Sequence, residues 1–351
     1  MILISSTYEG DPTVVNLVRV LEQRGADVAL LTPAVLEQPS ALTIAGAGRR
    51  ADCVLRVGGR SIDLREVHSA WLWRGWTLDP SLHRHHRLAG RAAEWRFFRA
   101  EWTAFHKGVC MLLSKLGTFC VNPPPWNLAF EEKCCQLALA VESGLAIPAT
   151  LFTTCLAVAR DFAEAEGAAA GVVYKPFRSF FVEREVAGAE APRIAKLLTN
   201  RLAPADLVES EGLVPTPGIF QPYIPKQFEV RATIVGRRLL ACAIHSQQSQ
   251  RSREDWRRYD IPNTPYVPYE LPDGVAAGLL RLMERMGLVF GSADLIVTPD
   301  GEHVFLEVNP NGQFDFVAKL AGLPIYEHLA EMLIAGTPDY AFQEVVACGS
   351  R

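Results

Sequence analysis

Residues 304–314 read "VFLEVNPNGQF", a hydrophobic run that carries Glu307 and Asn309 two positions apart and breaks at Pro310. Successive strand side chains point to opposite faces, so Glu307 and Asn309 share one face. Alone, the pattern fits an edge strand with its polar side in water. Residues 291–309 read "GSADLIVTPDGEHVFLEVN", two strand-like runs joined by Asp300-Gly301, a strong hairpin signal. A two-residue Asp-Gly turn pairs Pro299 with Glu302, which predicts Asp294 opposite Glu307 and Asn309 on the diagonal. Two facing carboxylates repel unless a cation lies between them. Oxygen-only ligands of this kind suit a hard ion such as Mg²⁺, with phosphate oxygens completing its shell.

The rest of the chain bounds what surrounds this hairpin. At 351 residues and 49% hydrophobic, it can bury a large core and divides into two or three domains. A net charge of −4 argues against broad, sequence-independent nucleic-acid binding. The opening "MILISSTYEGDP" has no basic n-region or long apolar stretch, and no apolar run approaches the roughly 18 residues of a membrane span. The expectation is a cytoplasmic protein with neither membrane nor nucleic acid as partner. Eight cysteines lie scattered, Cys134 and Cys135 apart, with no C-x-x-C pair, and read as reduced, mostly buried thiols.

An α/β pattern opens the chain. "MILISS" reads as a buried strand, residues 11–25 as a helix capped by Asp11 and stopped by Gly25, and "ADVALLT" as a second, parallel strand. No G-x-G-x-x-G follows the first strand, so the dinucleotide fingerprint is absent. Residues 51–64 read as a hairpin through Gly58-Gly59, and "HSAWLWRGW" as a further strand. Trp95, Phe98, Trp102, Phe105, Val109, Leu112 and Leu116 recur at helical spacing, which predicts a long amphipathic helix with a core-packing aromatic stripe. "HRHHR" (83–87) interleaves arginines that would repel a metal and reads as a solvated loop. "VNPPPWN" (121–127) marks the first domain boundary.

Two lysines in the middle sit in contrasting settings. Lys133 lies in a helical pattern, where an ordinary exposed lysine is the plain reading. Lys175 ends the strand-like "GVVYKPF", where a cation at a buried strand's tip suggests an anion, although a snorkelling surface lysine reads equally well in isolation. In "FEVRATIVG" (228–236), Glu229, Arg231 and Thr233 share one face; alone, the first two read as a surface ion pair.

Together these pieces resemble the ATP-grasp superfamily from about Asn122 to Tyr340, with a matching α/β region before it. The resemblance implies an N-terminal pre-ATP-grasp α/β domain (1–122) and a two-lobed ATP-grasp fold with an antiparallel sheet. Its lobes would be 123–218 and 219–345, the latter carrying the Mg²⁺ site. By the same resemblance Asp294, Glu307 and Asn309 bind two Mg²⁺ ions, and Lys133 and Lys175 contact the phosphates of ATP. The backbone of Gln221, Pro222, Tyr223 and Ile224 meets adenine, Glu229 reaches the ribose, and Arg231 follows it. Asp255, Trp256 and Arg257 match a D-aromatic-R segment of the peptide-modifying branch. "WLWRGW", "VNPPPWNLAFEEK", "EDWRRYD" and "FLEVNPNGQF" bring the chain nearest to graspetide synthetases, and ribosomal-protein glutamate ligases share many of these signatures. Two features depart from the pattern. Pro222 stands where the hinge usually carries an acid, and "KPFRSFFVERE" lacks a glycine-rich phosphate-covering loop.

The implied chemistry is activation of an Asp or Glu side chain of a ribosomal precursor peptide as an acyl phosphate. Capture by an amine or hydroxyl then gives amide or ester macrocycles. Phosphoryl transfer of this kind needs positioning and charge neutralisation, which Arg231 and Arg257 can supply as planar donors. Arg251, Arg253, Arg257 and Arg258 place a positive field nearby, suited to a precursor with a leader and an acidic core, or are a solvated loop. A ligase of free amino acids or small peptides, a glutamate ligase acting on a protein tail and a non-catalytic ATP-binding adaptor are the alternatives; a homodimer is left open.

Overall fold

The structure is a computed structural model that describes residues 1–6, 10–32, 41–46, 51–57, 59–73, 90–124, 132–167, 170–177, 181–184, 193–196, 200–207, 216–253, 255–258 and 260–342. Strand β1 (Ile2–Ser5) leads into helix α1 (Pro12–Gln23) and strand β2 (Val28–Leu31). Asp11 caps α1 by accepting from the Thr13 amide at 2.9 Å, and Gly25 takes the left-handed conformation that ends it. A separate three-stranded antiparallel sheet follows, with β3 (Ala41–Gly46), β4 (Ala51–Val57) and β5 (Arg60–Asp63). Then come β6 (Ser69–Leu72), the long helix α2 (Ala92–Lys115) and β7 (Phe119–Val121). The first sheet is parallel, ordered β2-β1-β6-β7, as its βαβ opening predicts. On α2, Trp95, Phe98, Trp102 and Phe105 form a ladder of ring contacts, so the aromatic stripe is packing.

After α3 (Lys133–Glu142), the middle sheet takes β8 (Leu151–Thr153), β9 (Val172–Lys175), β12 (Asn200–Leu202) and β13 (Gly218–Pro222), antiparallel in the order β12-β9-β13-β8. Helix α4 (Leu156–Glu166) covers it, with Ala159 and Ala163 against Val172 and Phe220. Strands β10 (Phe181–Arg184) and β11 (Arg193–Lys196) pair only with each other among the described residues. The chain leaves this sheet after Pro222.

The last sheet is antiparallel, ordered β16-β15-β14-β17-β18, with β14 (Phe228–Val235), β15 (Arg238–Ile244), β16 (Tyr266–Tyr269), β17 (Phe290–Val297) and β18 (His303–Asn309). Strict alternation along β14 sends Val230, Ala232 and Ile234 into a core with α3 and with α5 (Asp273–Arg285), leaving Glu229, Arg231 and Thr233 on the other face. Gly236 turns β14 into β15 at φ 57°, and a Cβ there would meet the Pro338 carbonyl oxygen at 2.3 Å. Gly236→Ala is expected to cost about 1–3 kcal/mol of stability, read as a lowered denaturant midpoint with unchanged slope.

Helices α6 (Asp315–Ala321) and α7 (Ile325–Ala335) return to the beginning of the chain. Leu329 and Leu333 are completely buried in one core with Ile4, Leu17, Trp71 and Trp73. Each such leucine contributes about 1.5–3 kcal/mol on removal from water. Asn122, also completely buried, joins the same regions at the level of the last sheet. Its Nδ2 donates to the carbonyls of Phe290 and Pro310 at 2.8 and 2.9 Å, and its Oδ1 accepts from the amides of Val289 and Phe290, both at 2.9 Å. No helix among the described residues is long and apolar enough to cross a membrane.

Candidate active site

The hairpin β17–β18 does place Asp294 opposite Glu307, by a route the two-residue turn did not anticipate. The turn is one residue longer: the Thr298 amide donates to the Glu302 carbonyl at 2.9 Å, enclosing Pro299, Asp300 and a left-handed Gly301 at φ 85°. Pairing therefore starts one step out of the expected register, with Val297 opposite His303 and Leu295 opposite Phe305. A bulge between Asp294 and Leu295 then skips Leu306 and brings Asp294 onto Glu307 and Ser292 onto Asn309. Proline and glycine set the turn, and the bulge re-aims the carboxylates.

Across the sheet, register puts Arg231 directly opposite Asp294, so one cross-strand row reads Arg231, Asp294, Glu307. Arg231 Nη1 donates to both Asp294 oxygens at 2.8 Å and Nη2 donates to the Gln313 carbonyl at 3.0 Å. Gly312 permits this approach, since a Cβ there would lie 2.8 Å from Arg231 Nη2. At the other end of the row, Lys133 Nζ meets Glu307 Oε2 at 2.8 Å. Lys133 is the first residue of α3, and Gln136, one turn on, anchors that helix to β18 through both its amide atoms and the Val308 backbone, at 2.8 and 2.9 Å. Burial acts to raise the Glu307 pKa, but Lys133, Arg257 and Lys175 outweigh it and hold the carboxyl at about 2. Asp294 is pushed the other way, raised by burial and by Glu307 against the pull of Arg231.

Lys175 reaches the cleft from the tip of β9, where its ammonium donates to Gln221 Oε1 at 2.8 Å. Gln221 Nε2 donates in turn to Thr150 Oγ1 at 3.0 Å. The side chain of Gln221 is thus a support for Lys175, and burial lowers the lysine's pKa to about 8. In the hinge, Pro222 has no N–H, the Tyr223 amide donates to the Gly171 carbonyl at 3.0 Å, and Ile224 lines the cleft beside them.

Arg257 sits on a short 3₁₀ turn (Trp256–Arg258) whose Trp256 stacks on Phe316 at 5.2 Å. Asp255 accepts from Arg257 Nε at 2.8 Å and from Nη2 at 2.7 Å, a fork that fixes the guanidinium plane. Glu229, which in isolation reads as an ion-pair partner for Arg231, instead pairs with Lys226 and accepts from the Ser246 hydroxyl. Lys226 and Gln136 were not singled out in the sequence. A lysine three positions before Glu229 was the available signal for one, and a glutamine on the apolar face of a helix for the other.

Apart from Thr150 and Ser246, these side chains line one cleft of about 720 Å³ between the middle and last sheets, together with Asn309. Its acids and Asn309 offer oxygen donors only, and the buried Asn311 Oδ1 beside them has no hydrogen-bond partner in the structure. Among the described residues, no group of three or more His, Cys, Asp or Glu gathers. Two carboxylates with an amide fit Mg²⁺, which keeps several of its positions for water and phosphate, better than they fit zinc. "HRHHR", most of "PPPWN" and the end of "WLWRGW" lie outside the described residues.

Solved structures match this fold over nearly the whole chain. A Chryseobacterium gregarium RiPP-associated ATP-grasp ligase, solved with ADP and a leader and core peptide, aligns with TM-score 0.81 and 24% identity over 96% of this chain and 97% of its own. The chain has the ATP-grasp ligase fold. Macrocyclase MdnC from Microcystis aeruginosa MRC, solved bound with precursor peptide MdnA, aligns with TM-score 0.75 and 26% identity over 95% of this chain and 99% of its own. Macrocyclase MdnB from the same organism gives 0.68 and 27% over 95% and 99%. No protein-family model and no curated protein sequence matches the chain. The resemblance to ATP-grasp peptide macrocyclases read from the sequence therefore extends to the ATP-grasp fold end to end.

Proposed function

We propose that this ATP-grasp protein is an ADP-forming ligase that closes ester or amide rings between side chains of a ribosomal precursor peptide. The observation that carries the reading is the cleft itself, in which the Asp294–Glu307–Asn309 face stands with Lys133, Lys175 and Arg257 inside a fold shared with peptide macrocyclases. Asp294, Glu307 and Asn309 would hold Mg²⁺, two ions by the family pattern, which supplies charge neutralisation along the triphosphate. Lys133 keeps Glu307 ionised, and Arg231 keeps Asp294 aimed. Lys175 donates to phosphate oxygens from β9, and the Ile224 amide and Glu229 receive the nucleoside.

A side-chain carboxylate oxygen of the peptide attacks the γ-phosphorus, the bond to the β–γ bridging oxygen breaks, and ADP leaves. Arg257 stabilises the charge on the transferring group through its fixed plane. An amine or hydroxyl of the same peptide then attacks the acyl carbon, phosphate departs, and the nucleophile's proton is lost to water or phosphate. Arg251 and Arg253, both exposed on the loop before Arg257, favour an acidic core segment. The reading is of a cytoplasmic enzyme. Its test is mass spectrometry of acidic candidate precursors with enzyme, ATP and Mg²⁺. Loss of one water per ring supports it, and ATP-dependent joining of free amino acids with untouched peptides would replace it.

Lys175→Ala is expected to weaken ATP binding about tenfold to a hundredfold, the loss of one charge-assisted contact of about 1.5–3 kcal/mol. With its pKa lowered to about 8, the ammonium is charged below that pH and loses its proton as pH rises through it. ATP affinity in calorimetry is therefore expected to fall between pH 7 and about 9, and Lys175→Arg, which stays charged, to flatten the decline. Unchanged affinity in Lys175→Ala would remove it from nucleotide binding.

A further inference from the structure

Lys226 belongs to none of the roles above, yet it lines the same cleft. It lies on the connection from β13 to β14, which the Gln227 amide ties to β17 through the Val297 carbonyl at 2.8 Å. The side chains of Lys226 and Glu229 are each only 6% exposed. A lysine this deep needs a partner, and a buried acid needs donors. The two meet: Lys226 Nζ bonds Glu229 Oε1, and the Ser246 hydroxyl bonds Glu229 Oε2. The cross-strand neighbours of Glu229 are Ile244 and Ile296, so the sheet itself brings no cation to it. Arg231, on the same face, is turned to Asp294. Asp255 is the other acid whose charge reaches this pair, and it is engaged with Arg257.

Each carboxylate oxygen accepts more than one hydrogen bond. With one donor on each oxygen from the protein side, Glu229 is locked in position and keeps capacity for donors arriving from the cleft. Adjacent hydroxyls of a ribose are donors of that kind. Burial raises the Glu229 pKa against the pull of Lys226 and Ser246, so removing Lys226 would favour the protonated acid further, and a protonated carboxyl both loses acceptor strength and gains a rotor.

We propose that Lys226 is the positioning residue that sets sugar recognition, holding the Glu229 carboxyl in place so that the cleft distinguishes a ribonucleotide from a deoxyribonucleotide. This rests on the reading of the cleft as an ATP site. The Lys226 ammonium is engaged with Glu229 Oε1, so its effect is expected on the sugar.

The test is calorimetry with ATP, 2′-deoxy-ATP and 3′-deoxy-ATP, each with Mg²⁺, on wild type, Lys226→Met, Lys226→Arg, Glu229→Gln and the Lys226→Met/Glu229→Gln double variant. Wild type is expected to bind at least one deoxynucleotide about tenfold or more weakly than ATP, the loss of a hydrogen bond to a charged group. Lys226→Met is expected to bring that ratio to within about threefold by weakening ATP selectively, and Lys226→Arg to restore most of it. In the Glu229→Gln background, removing Lys226 is expected to change the ratio no further, a comparison that survives even if the single Lys226→Met variant does not fold. A Lys226→Met protein with the wild-type ratio, or one that loses all three nucleotides equally, overturns the proposal. So does a double variant whose ratio differs from that of Glu229→Gln. Wild type that binds ATP without sugar preference overturns it while leaving the ATP site standing, whereas wild type that binds no ATP overturns the nucleotide reading itself.

Discussion

Glu307→Gln is expected to bring ring formation down to background while the protein still melts close to wild type. The carboxyl is held at a pKa of about 2, so it is fully ionised at neutral pH, and glutamine removes the charge with little change of shape. The lost ion pair with Lys133 is partly solvated and stabilises by only about 1 kcal/mol or less. Asp294→Asn is expected to abolish turnover as well, but at a larger cost in stability. Its partner Arg231 is 5% exposed, and stripping the charge from Asp294 leaves a guanidinium deep in the cleft without a counter-ion, a penalty of about 3 kcal/mol. Product formation and thermal melting measured on both variants separate the two effects. Near-wild-type product from Glu307→Gln would remove this carboxylate from the mechanism.

Arg257→Lys is the second large effect, and it falls on rate rather than affinity. Asp255 grips Arg257 through Nε and Nη2, a two-point hold that an ammonium cannot reproduce. A lysine keeps the charge near the phosphates, so ATP affinity is expected to stay within about twofold, whereas turnover falls about a hundredfold, the scale of losing one donor aimed at a transition state. Steady-state ADP release with a peptide substrate reads this directly. Wild-type kcat would leave Arg257 as part of a steering surface with Arg251 and Arg253. For those two, alanine variants are expected to raise KM by an amount that shrinks as salt screens the wild-type attraction.

The outcome of the hairpin shows how far local sequence reaches. Alternation and a turn dipeptide were enough to face Asp294 with Glu307, because a misjudged turn and an unforeseen bulge each moved the register by one residue and offset one another. The face on which Glu229 and Arg231 lie was equally legible, since period two is a property of the backbone. Their partners were not. Residues two apart on a strand are farther from each other than from the residue directly across, and which residue lies across is decided by distant pairing. Arg231 therefore met Asp294, and Glu229 turned back to Lys226 in the linker. Lys133 looked ordinary because its partner is 174 positions away, brought there by Gln136 clamping β18. The parallel start of the chain was plain from its βαβ pattern, but nothing local indicated that α7 would complete the core around Trp71 and Trp73.

That last packing has a consequence for how the chain comes off the ribosome. The first sheet is made early, but Trp71 and Trp73 gain their cover from Phe314, Leu329 and Leu333 only when those much later residues have been made. Until then the opening segment presents two indoles and a row of aliphatic side chains to solvent, a surface of the sort that chaperones bind and that aggregates if translation stalls. The β17–β18 hairpin emerges just ahead of the helices that close this core. Maturation of the cleft and burial of the N-terminal tryptophans are thus one late event, and nascent chains halted before α7 would be both sticky and inactive.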